Sequence, residues 1–265
     1  MAVSADRVNW FLLNASPDLR QQIAQTPALH PAHGLRSTPI AGVVLTGAEI
    51  DTITGLLSMR ERQPFRLHAT GPVLDLLAAN PIFAALAPEI VTRIAEQSDV
   101  DFALRLPDGR ESGLRATLFT VPGKAPLYME GRAGEDPVAD TGDSAGVAVT
   151  DGHRILFYIP GCAAVTPALR ARLQNADLVF FDGTLWHDEE MIAAGLGPKT
   201  GRRMGHMSVA GPEGALAAFA DIDVKRKFFI HINNSNPLLD AQAPQRALAA
   251  AAGWEVAHDG LELQL

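Results

Sequence analysis

The chain has 265 residues, of which 47% are hydrophobic and 20% charged, a composition typical of a soluble globular protein with a large core. Its 22 basic and 30 acidic side chains give a net charge of −8, so neither nucleic acid nor an anionic membrane surface is an expected partner. The single cysteine, Cys162, excludes an internal disulfide framework and fits a reducing cytoplasm. Because no signal peptide and no apolar run of roughly 18 residues is found, no membrane insertion is expected.

The first part of the chain alternates between strand and helix patterns. Strands are predicted at Trp10–Asn14, at the continuously apolar run Ile40–Thr46 and at Phe65–Ala69. Helices are predicted from Ser16, as N-cap, to Ile23, over Ile53–Arg60 and around Val73–Ala79. This alternation predicts an α/β protein with a layered sheet.

The remainder mixes strands, turns and fewer helices. Antiparallel strands are predicted at Asp99–Leu106, Leu114–Val121 and Leu127–Glu130, followed by an exposed acidic loop at Ala133–Gly146. Further strands are predicted at Val147–Thr150, Ile155–Ile159, Leu178–Phe181 and Lys227–Ile230. Helices are predicted at Pro167–Asn175 and Glu213–Ala220.

Polar groups follow several of the buried strands. Glu49 and Asp51 come after the run that begins at Ile40, Asp182 ends the run at Phe181, and His231 ends the run at Ile230, while His206 precedes a helix. Imidazole and carboxylate groups that converge at one sheet edge are what a Zn, Fe or Mn centre requires. Each residue also has a structural interpretation of about equal weight, as a turn residue, a helix cap or a hydrogen-bonded core histidine.

Six motifs in this order resemble one protein family. They are Asn14-Ala15-Ser16-Pro17-Asp18, Leu45-Thr46-x-Ala48-Glu49-Ile50-Asp51, Val121-Pro122-Gly123-Lys124-x-Pro126-Leu127-Tyr128, Phe180-Phe181-Asp182-Gly183-Thr184-Leu185-Trp186, Gly201-Arg202-Arg203-Met204-Gly205-His206-Met207-Ser208 and His231-Ile232-Asn233-Asn234-Ser235-Asn236-Pro237. Together they resemble the PqqB family, the B proteins of pyrroloquinoline quinone (PQQ) biosynthesis, which belongs to the metallo-β-lactamase superfamily. The resemblance implies an αββα sandwich of two mixed sheets flanked by helices.

The resemblance also implies a start that this sequence does not contain. Family members begin with a strand, a glycine-rich turn and closely spaced cysteines, none of which is found before Trp10. We therefore expect residues 1–265 to form a single metallo-β-lactamase-like domain that lacks about forty residues at its start, which predicts exposed strand edges.

The superfamily's metal motif is altered here. His-x-His-x-Asp-His aligns with Gly47, Glu49, Asp51 and Thr52, so the motif keeps oxygen ligands and loses imidazoles. The expected metal ligands are Glu49, Asp51, Asp182, His206 and His231. Three carboxylates with two imidazoles favour Fe(II), with Mn(II) and Zn(II) as alternatives.

The resemblance implies that the protein oxidises a precursor of PQQ. The expected reaction is iron-dependent hydroxylation of the tyrosine of a Glu-Tyr dipeptide, with Asp51, Asp182 and His206 as catalytic residues. Residues expected to bind substrate are Lys124, Arg202, Arg203, Asn233 and Asn234. The lysine and the two arginines are equally explained as solvated surface residues, and the two asparagines as residues that brace their loop by hydrogen bonds to its backbone.

Two further functions stay open. One is a carrier that moves PQQ or its precursor toward the periplasm, which the threonine at position 52 favours. The other is metal-dependent hydrolysis, against which Gly47 argues because it replaces the first histidine of the motif. Expected partners are a small-molecule or dipeptide PQQ precursor and other proteins of PQQ biosynthesis, and a homodimer stays open as an assembly.

Overall fold

The computed structural model describes residues 1–32, 34, 36–59, 61–124, 126 and 144–265. These residues form two compact units, one of residues 1–119, 126 and 149–153 and one of residues 120–124, 144–148 and 154–265. The predicted strand at Leu127–Glu130 and nearly all of the predicted loop at Ala133–Gly146 lie outside the described residues. That residues 1–265 form a single domain stays a prediction.

The first unit is built on a five-stranded sheet. Its strands are β1 (Ala2–Val3), β2 (Trp10–Leu13), β3 (Ile40–Val44), β4 (Phe65–Thr70) and β5 (Val91–Glu96), which neighbour one another in that order. Its helices are α1 (Leu19–Gln25), α2 (Ile50–Ile53) and α3 (Gly71–Ala79). Strand β1 lies before Trp10, so the expectation that no strand is found there is wrong. Since β1 is antiparallel to β2 and the other pairs are parallel, the sheet is mixed. An antiparallel pair, β6 (Asp101–Arg105) and β7 (Glu111–Thr120), completes the unit.

Hydrophobic burial explains most of these elements. All five residues of β3 are buried, as expected of a parallel strand covered on both faces. Its Val43 packs in one core cluster with Leu12, Leu67 and Leu77, which come from β2, β4 and α3. Since β5 carries Thr92, Arg93 and Glu96 among its apolar residues, its strand pattern was missed.

Two helix predictions in this unit are wrong at their ends. The first helix starts at Leu19, and Ser16 does not cap it, because the Leu19 N–H binds the Ser16 carbonyl in a turn that precedes the helix. The predicted helix Ile53–Arg60 is instead α2 followed by a 3₁₀ turn at Thr54–Ser58. The β-branched side chains around Ile53 disfavour a longer α-helix.

The remaining strands are β8 (Ala145–Thr150), β9 (Ile155–Ile159), β10 (Ala176–Asp182), β11 (Val224–Ile230) and β12 (Trp254–Val256), and all of their residues except 149 and 150 belong to the second unit. They neighbour one another in the order β12-β11-β10-β9-β8. The helices are α4 (Pro167–Leu173), α5 (Glu190–Ala193), α6 (Ala215–Ala218) and α7 (Pro244–Ala251). The predicted helix at Glu213–Ala220 is thus reduced to the four residues of α6, whereas α4 begins as predicted at Pro167 with Thr166 as its N-cap.

The parallel strands of this unit bring their carboxyl ends to one edge. In the register of the sheet, Phe181 lies beside Ile159, and Asp182 lies beside Ile230. Strand β12 extends the same sheet, where Trp254 stacks on Phe229 with ring centroids 3.9 Å apart. The segments that follow β9, β10 and β11 therefore begin side by side, where ligand sites form in parallel sheets.

Among the described residues, no helix is both long enough and apolar enough to cross a membrane.

Candidate metal centre

Asp182 is the last residue of β10, and its side chain is fully buried. Its Oδ1 atom accepts hydrogen bonds from the backbone N–H of Thr184, at 3.0 Å, and from the Thr184 hydroxyl, at 2.6 Å. Its Oδ2 atom accepts from the backbone N–H of Cys162, at 3.0 Å, and lies 2.7 Å from Nδ1 of His206. These contacts hold the carboxylate in one orientation at the sheet edge.

The same neighbours determine the charge of Asp182. Burial by itself raises the pKa of a carboxyl group, because the charged form loses its hydration. Here the charge and hydrogen bond of His206, the charge of His231 and the hydroxyl of Thr184 outweigh burial, so the pKa of Asp182 lies below its ordinary value. Asp182 is therefore an ionised, buried carboxylate at neutral pH.

His231 follows the last residue of β11 and has a left-handed backbone conformation, with φ of 55°. This conformation costs a non-glycine residue roughly 1 kcal/mol, and such strain is concentrated at functional sites. The strained turn is braced by Asn236, whose buried Nδ2 donates to the Gly183 carbonyl at 2.7 Å. The backbone N–H of Asn233 also donates to the Thr184 carbonyl, at 3.1 Å.

His206 reaches the same place from a loop. Its backbone N–H donates to the Gly201 carbonyl at 2.9 Å, and the preceding Gly205 has φ of +89°, which favours glycine. A Cβ atom at Gly161 would lie 3.3 Å from Cε1 of His206, so the glycine leaves room for the ring. The ring lies nearly parallel to that of His231, with centroids 5.1 Å apart.

Three of the five predicted ligands therefore come together. Asp182, His206 and His231 each offer one ligand atom, and these atoms all lie within 4.8 Å of one another. Asp182 is buried, His206 is half-buried and His231 is partly exposed, so a small molecule can approach from the histidine side. Two imidazoles and one carboxylate are a donor set that suits iron and also zinc, so these residues fit the divalent metal that the sequence predicts.

Glu49 and Asp51 belong to the first unit. Glu49 is the N-cap residue of α2 and Asp51 lies in its first turn, where Asp51 is exposed. Thr52, at the position of the lost histidine, is buried, and its hydroxyl donates to the Glu49 carbonyl at 2.8 Å. That hydroxyl therefore helps to form the turn. The role of Glu49 and Asp51 as metal ligands stays a prediction.

The predicted substrate-binding residues have different surroundings. The side chain of Lys124 lies against Gly205, the residue before His206. A Cβ atom added to Gly205 would be only 3.0 Å from Cγ of Lys124. The guanidinium of Arg202 lies 3.5 Å from the Glu213 carboxylate, and Arg203 is exposed. In the last loop, the Asn233 side chain donates to Ser235 Oγ at 2.7 Å, which agrees with a bracing role, and Asn234 is exposed. Their binding of substrate stays a prediction.

Two residues of the centre were missed from the sequence. Thr184 contacts all three clustered residues through its hydroxyl, and Cys162 donates its N–H to Asp182. Burial raises the pKa of the Cys162 thiol to about 12, and the charge of Asp182 adds to this effect. The thiol is therefore protonated at neutral pH. The position of Thr184, two residues after a strand-terminal aspartate, was the available signal.

Comparison with known proteins agrees with this fold. Residues 9–232 match the family model of the β-lactamase superfamily domain. Coenzyme PQQ synthesis protein B of Gluconacetobacter diazotrophicus is 63% identical over 265 residues, which cover 99% of this chain and 86% of the relative. The protein of the same name from Xanthomonas axonopodis pv. citri is 57% identical, with coverage of 100% and 86%.

Solved structures give the same result. Zn²⁺-bound PqqB from Methylobacterium extorquens superposes with a TM-score of 0.93 and 46% identity, over 100% of this chain and 86% of that one. The metallo-β-lactamase fold protein YhfI from Bacillus subtilis, at 12% identity and a TM-score of 0.64 over 96% of this chain and 86% of that one, shares the fold. These matches confirm the predicted metallo-β-lactamase fold of two mixed sheets with helices. The chain belongs to the coenzyme PQQ synthesis protein B family of the β-lactamase superfamily.

Proposed function

We propose that the protein acts in PQQ biosynthesis as a metal-dependent oxidative enzyme that hydroxylates the tyrosine of a Glu-Tyr precursor. The observation that carries this proposal is the cluster of Asp182, His206 and His231, whose ligand atoms lie within 4.8 Å of one another. Relatives named coenzyme PQQ synthesis protein B support the pathway, and the Zn²⁺-bound relative supports a divalent metal. We propose Fe(II) as the working metal because two imidazoles with one carboxylate are the ligands of many Fe(II) oxygenases.

When bound, the metal supplies a place where O2 is activated. The chain's own residues then bind and orient the substrate. His206 and His231 form the partly exposed side of the cluster, which the phenol can reach, and Asp182 balances positive charge from the buried side. Lys124, beside the His206 loop, and Arg203 are proposed to attract the carboxylates of the dipeptide.

The overall reaction inserts one oxygen atom of O2 into a ring C–H bond, and the other leaves as water. Two electrons and two protons are required, so an added reductant belongs in the assay. Turnover that continues under argon would contradict this proposal and support metal-dependent hydrolysis.

The first test is anaerobic binding of Fe(II) by the purified 265-residue chain, with metal content measured by mass spectrometry after desalting. We expect near-stoichiometric retention that His231→Ala abolishes and His258→Ala, at an exposed histidine outside the cluster, does not. Asp51→Ala tests the predicted ligand of the first unit. Equal retention by all of these variants would refute the assigned site.

A carrier of PQQ or its precursor is the second candidate. Thr52 favours the carrier function. It occupies the position of a superfamily metal ligand, and its hydroxyl is hydrogen-bonded to the carbonyl groups of Gly47 and Glu49. The carrier function predicts tight binding of PQQ or its precursor by a chain that retains no iron, which calorimetry with metal-free protein measures directly.

A further inference from the structure

The hydroxyl of Thr184 is the common neighbour of the whole cluster. Its Oγ1 atom lies 2.6 Å from Asp182 Oδ1, 2.8 Å from His231 Nδ1 and 3.1 Å from His206 Nδ1. The His231 carbonyl oxygen is also near, at 3.0 Å. Because Thr184 is buried, these protein groups, and not bulk water, satisfy its hydrogen bonds.

A hydroxyl has one hydrogen to donate and two lone pairs that accept. Two of the neighbours, Asp182 Oδ1 and the His231 carbonyl, are acceptors, so they compete for the single hydrogen of Thr184. The contact to Asp182 is the shorter one and falls in the range of charge-assisted O–H···O bonds. Asp182 Oδ1 is therefore the favoured acceptor of this hydrogen, and an imidazole Nδ1 that carries a proton can donate to the Thr184 oxygen.

We propose that Thr184 is the positioning residue of the metal cluster. Its hydroxyl donates to Asp182 Oδ1 and lies within hydrogen-bond distance of both imidazole Nδ1 atoms, so it holds the carboxylate beside the two histidines before a metal binds. This inference rests on the proposed metal-dependent function.

The γ-methyl group of Thr184 limits the side chain to few rotamers, so the oxygen is held in place before a cation arrives. The backbone contributes in the same way, since the Thr184 N–H donates to Asp182 and its carbonyl accepts from Asn233. Positioning residues of this kind typically change metal affinity about 10- to 100-fold when they are removed.

The experiment measures Zn²⁺ and Co²⁺ affinity by competition with a chelator in the wild-type 265-residue chain and three variants of it. Thr184→Val keeps the shape and removes the hydroxyl, whereas Thr184→Ser keeps the hydroxyl. Thr166→Val is the matched control, because it removes the N-cap hydroxyl of α4, which accepts from the Leu169 N–H outside the cluster. We expect Thr184→Val to bind about 10- to 100-fold more weakly and Thr166→Val to match wild type. Thr184→Ser should lie between them and nearer to wild type, because it keeps the hydroxyl and loses only the methyl group that restricts its rotamers.

Equal affinity of Thr184→Val and wild type would overturn the inference, and so would a Thr184→Ser variant as weak as Thr184→Val. If Thr184→Val does not fold, the hydrogen bonding of Thr184 is measured instead by NMR of the metal-free wild-type chain. The hydroxyl proton of Thr184 is then expected to exchange slowly with water and to show a contact to the His231 ring, and rapid exchange would refute its role. A wild-type chain that binds neither metal would refute the proposed function, while the NMR measurement would still test Thr184.

Discussion

Nδ1 of His206 lies 2.7 Å from Oδ2 of Asp182, and the aspartate side of this pair is completely buried while the histidine side is 19% exposed. The pair therefore links the interior of the second unit to its surface. The contribution of Asp182 to stability can be measured without any added ligand.

Asp182→Ala is expected to lower the free energy of unfolding by roughly 3 kcal/mol, because the N–H groups of Cys162 and Thr184 lose their buried acceptor. Urea denaturation at neutral pH measures this loss. Asp221→Ala is the control, since Asp221 is exposed and forms a surface ion pair with Arg170, whose loss is expected to have a much smaller effect. Similar losses in both variants would contradict the structural role of Asp182.

Asp6 provides a prediction on pH. Its carboxylate accepts hydrogen bonds from the backbone N–H groups of Val8 and Asn9 and from the Asn9 side chain. Although burial acts in the opposite direction, these bonds lower the pKa of Asp6 from 3.8 to about 2. Because the folded pKa is lower than the unfolded one, the stabilisation is complete above pH 3.8 and is lost as the pH falls through 2.

Asp6→Asn should therefore be less stable than wild type at pH 7, and the difference should shrink as the pH falls below 3.8. Urea titrations at a series of pH values from 7 down to about 2 measure this difference. The control is Asp18→Asn, because the Asp18 side chain makes no capping hydrogen bond to α1. A difference that stays constant with pH would show that the hydrogen bonds of the Asp6 carboxylate do not depend on its charge.

Cys162 is the sole cysteine, so alkylation reports on one site. The thiol is buried and its pKa is raised to about 12, and the thiolate is the reactive form. We expect iodoacetamide to modify the native chain very slowly at neutral pH and the chain in guanidinium rapidly, as followed by mass spectrometry. Rapid modification of the native chain would mean that the Cys162 segment opens readily.

Glu190 connects two loops near the centre. Its Oε2 accepts from the Trp186 N–H at 2.7 Å, and its Oε1 accepts from the Ser235 hydroxyl at 2.5 Å. Glu190→Ala should speed amide hydrogen exchange at Ser235 and Asn236 and lower the free energy of unfolding by about 1–2 kcal/mol. Glu189→Ala, at the adjacent exposed glutamate, should change neither, and an equal effect of both would argue against the connection.

The residues that the sequence could identify lie at strand ends. Asp182 follows the apolar run 178–181 and His231 follows the shorter apolar run 228–230, so each is the first polar residue after a buried stretch. The position of Thr184, two residues after Asp182, suggests a contact with that carboxylate but not with the histidines, because the contact with His206 depends on a loop 22 residues further along the chain. Likewise, the length of α2 depends on a balance between β-branched side chains and a 3₁₀ turn, which sequence periodicity does not resolve.

The parallel pairing of β10 with β11 also determines when the centre can form during synthesis. Asp182 leaves the ribosome well before β11, which begins at Val224, and until then that edge of β10 has no partner strand. His231 and its bracing Asn236 follow later still, and β12 is added only at Trp254. A nascent chain that stalls before residue 224 therefore displays an acidic group and an open strand edge together, and an unpaired strand edge promotes aggregation.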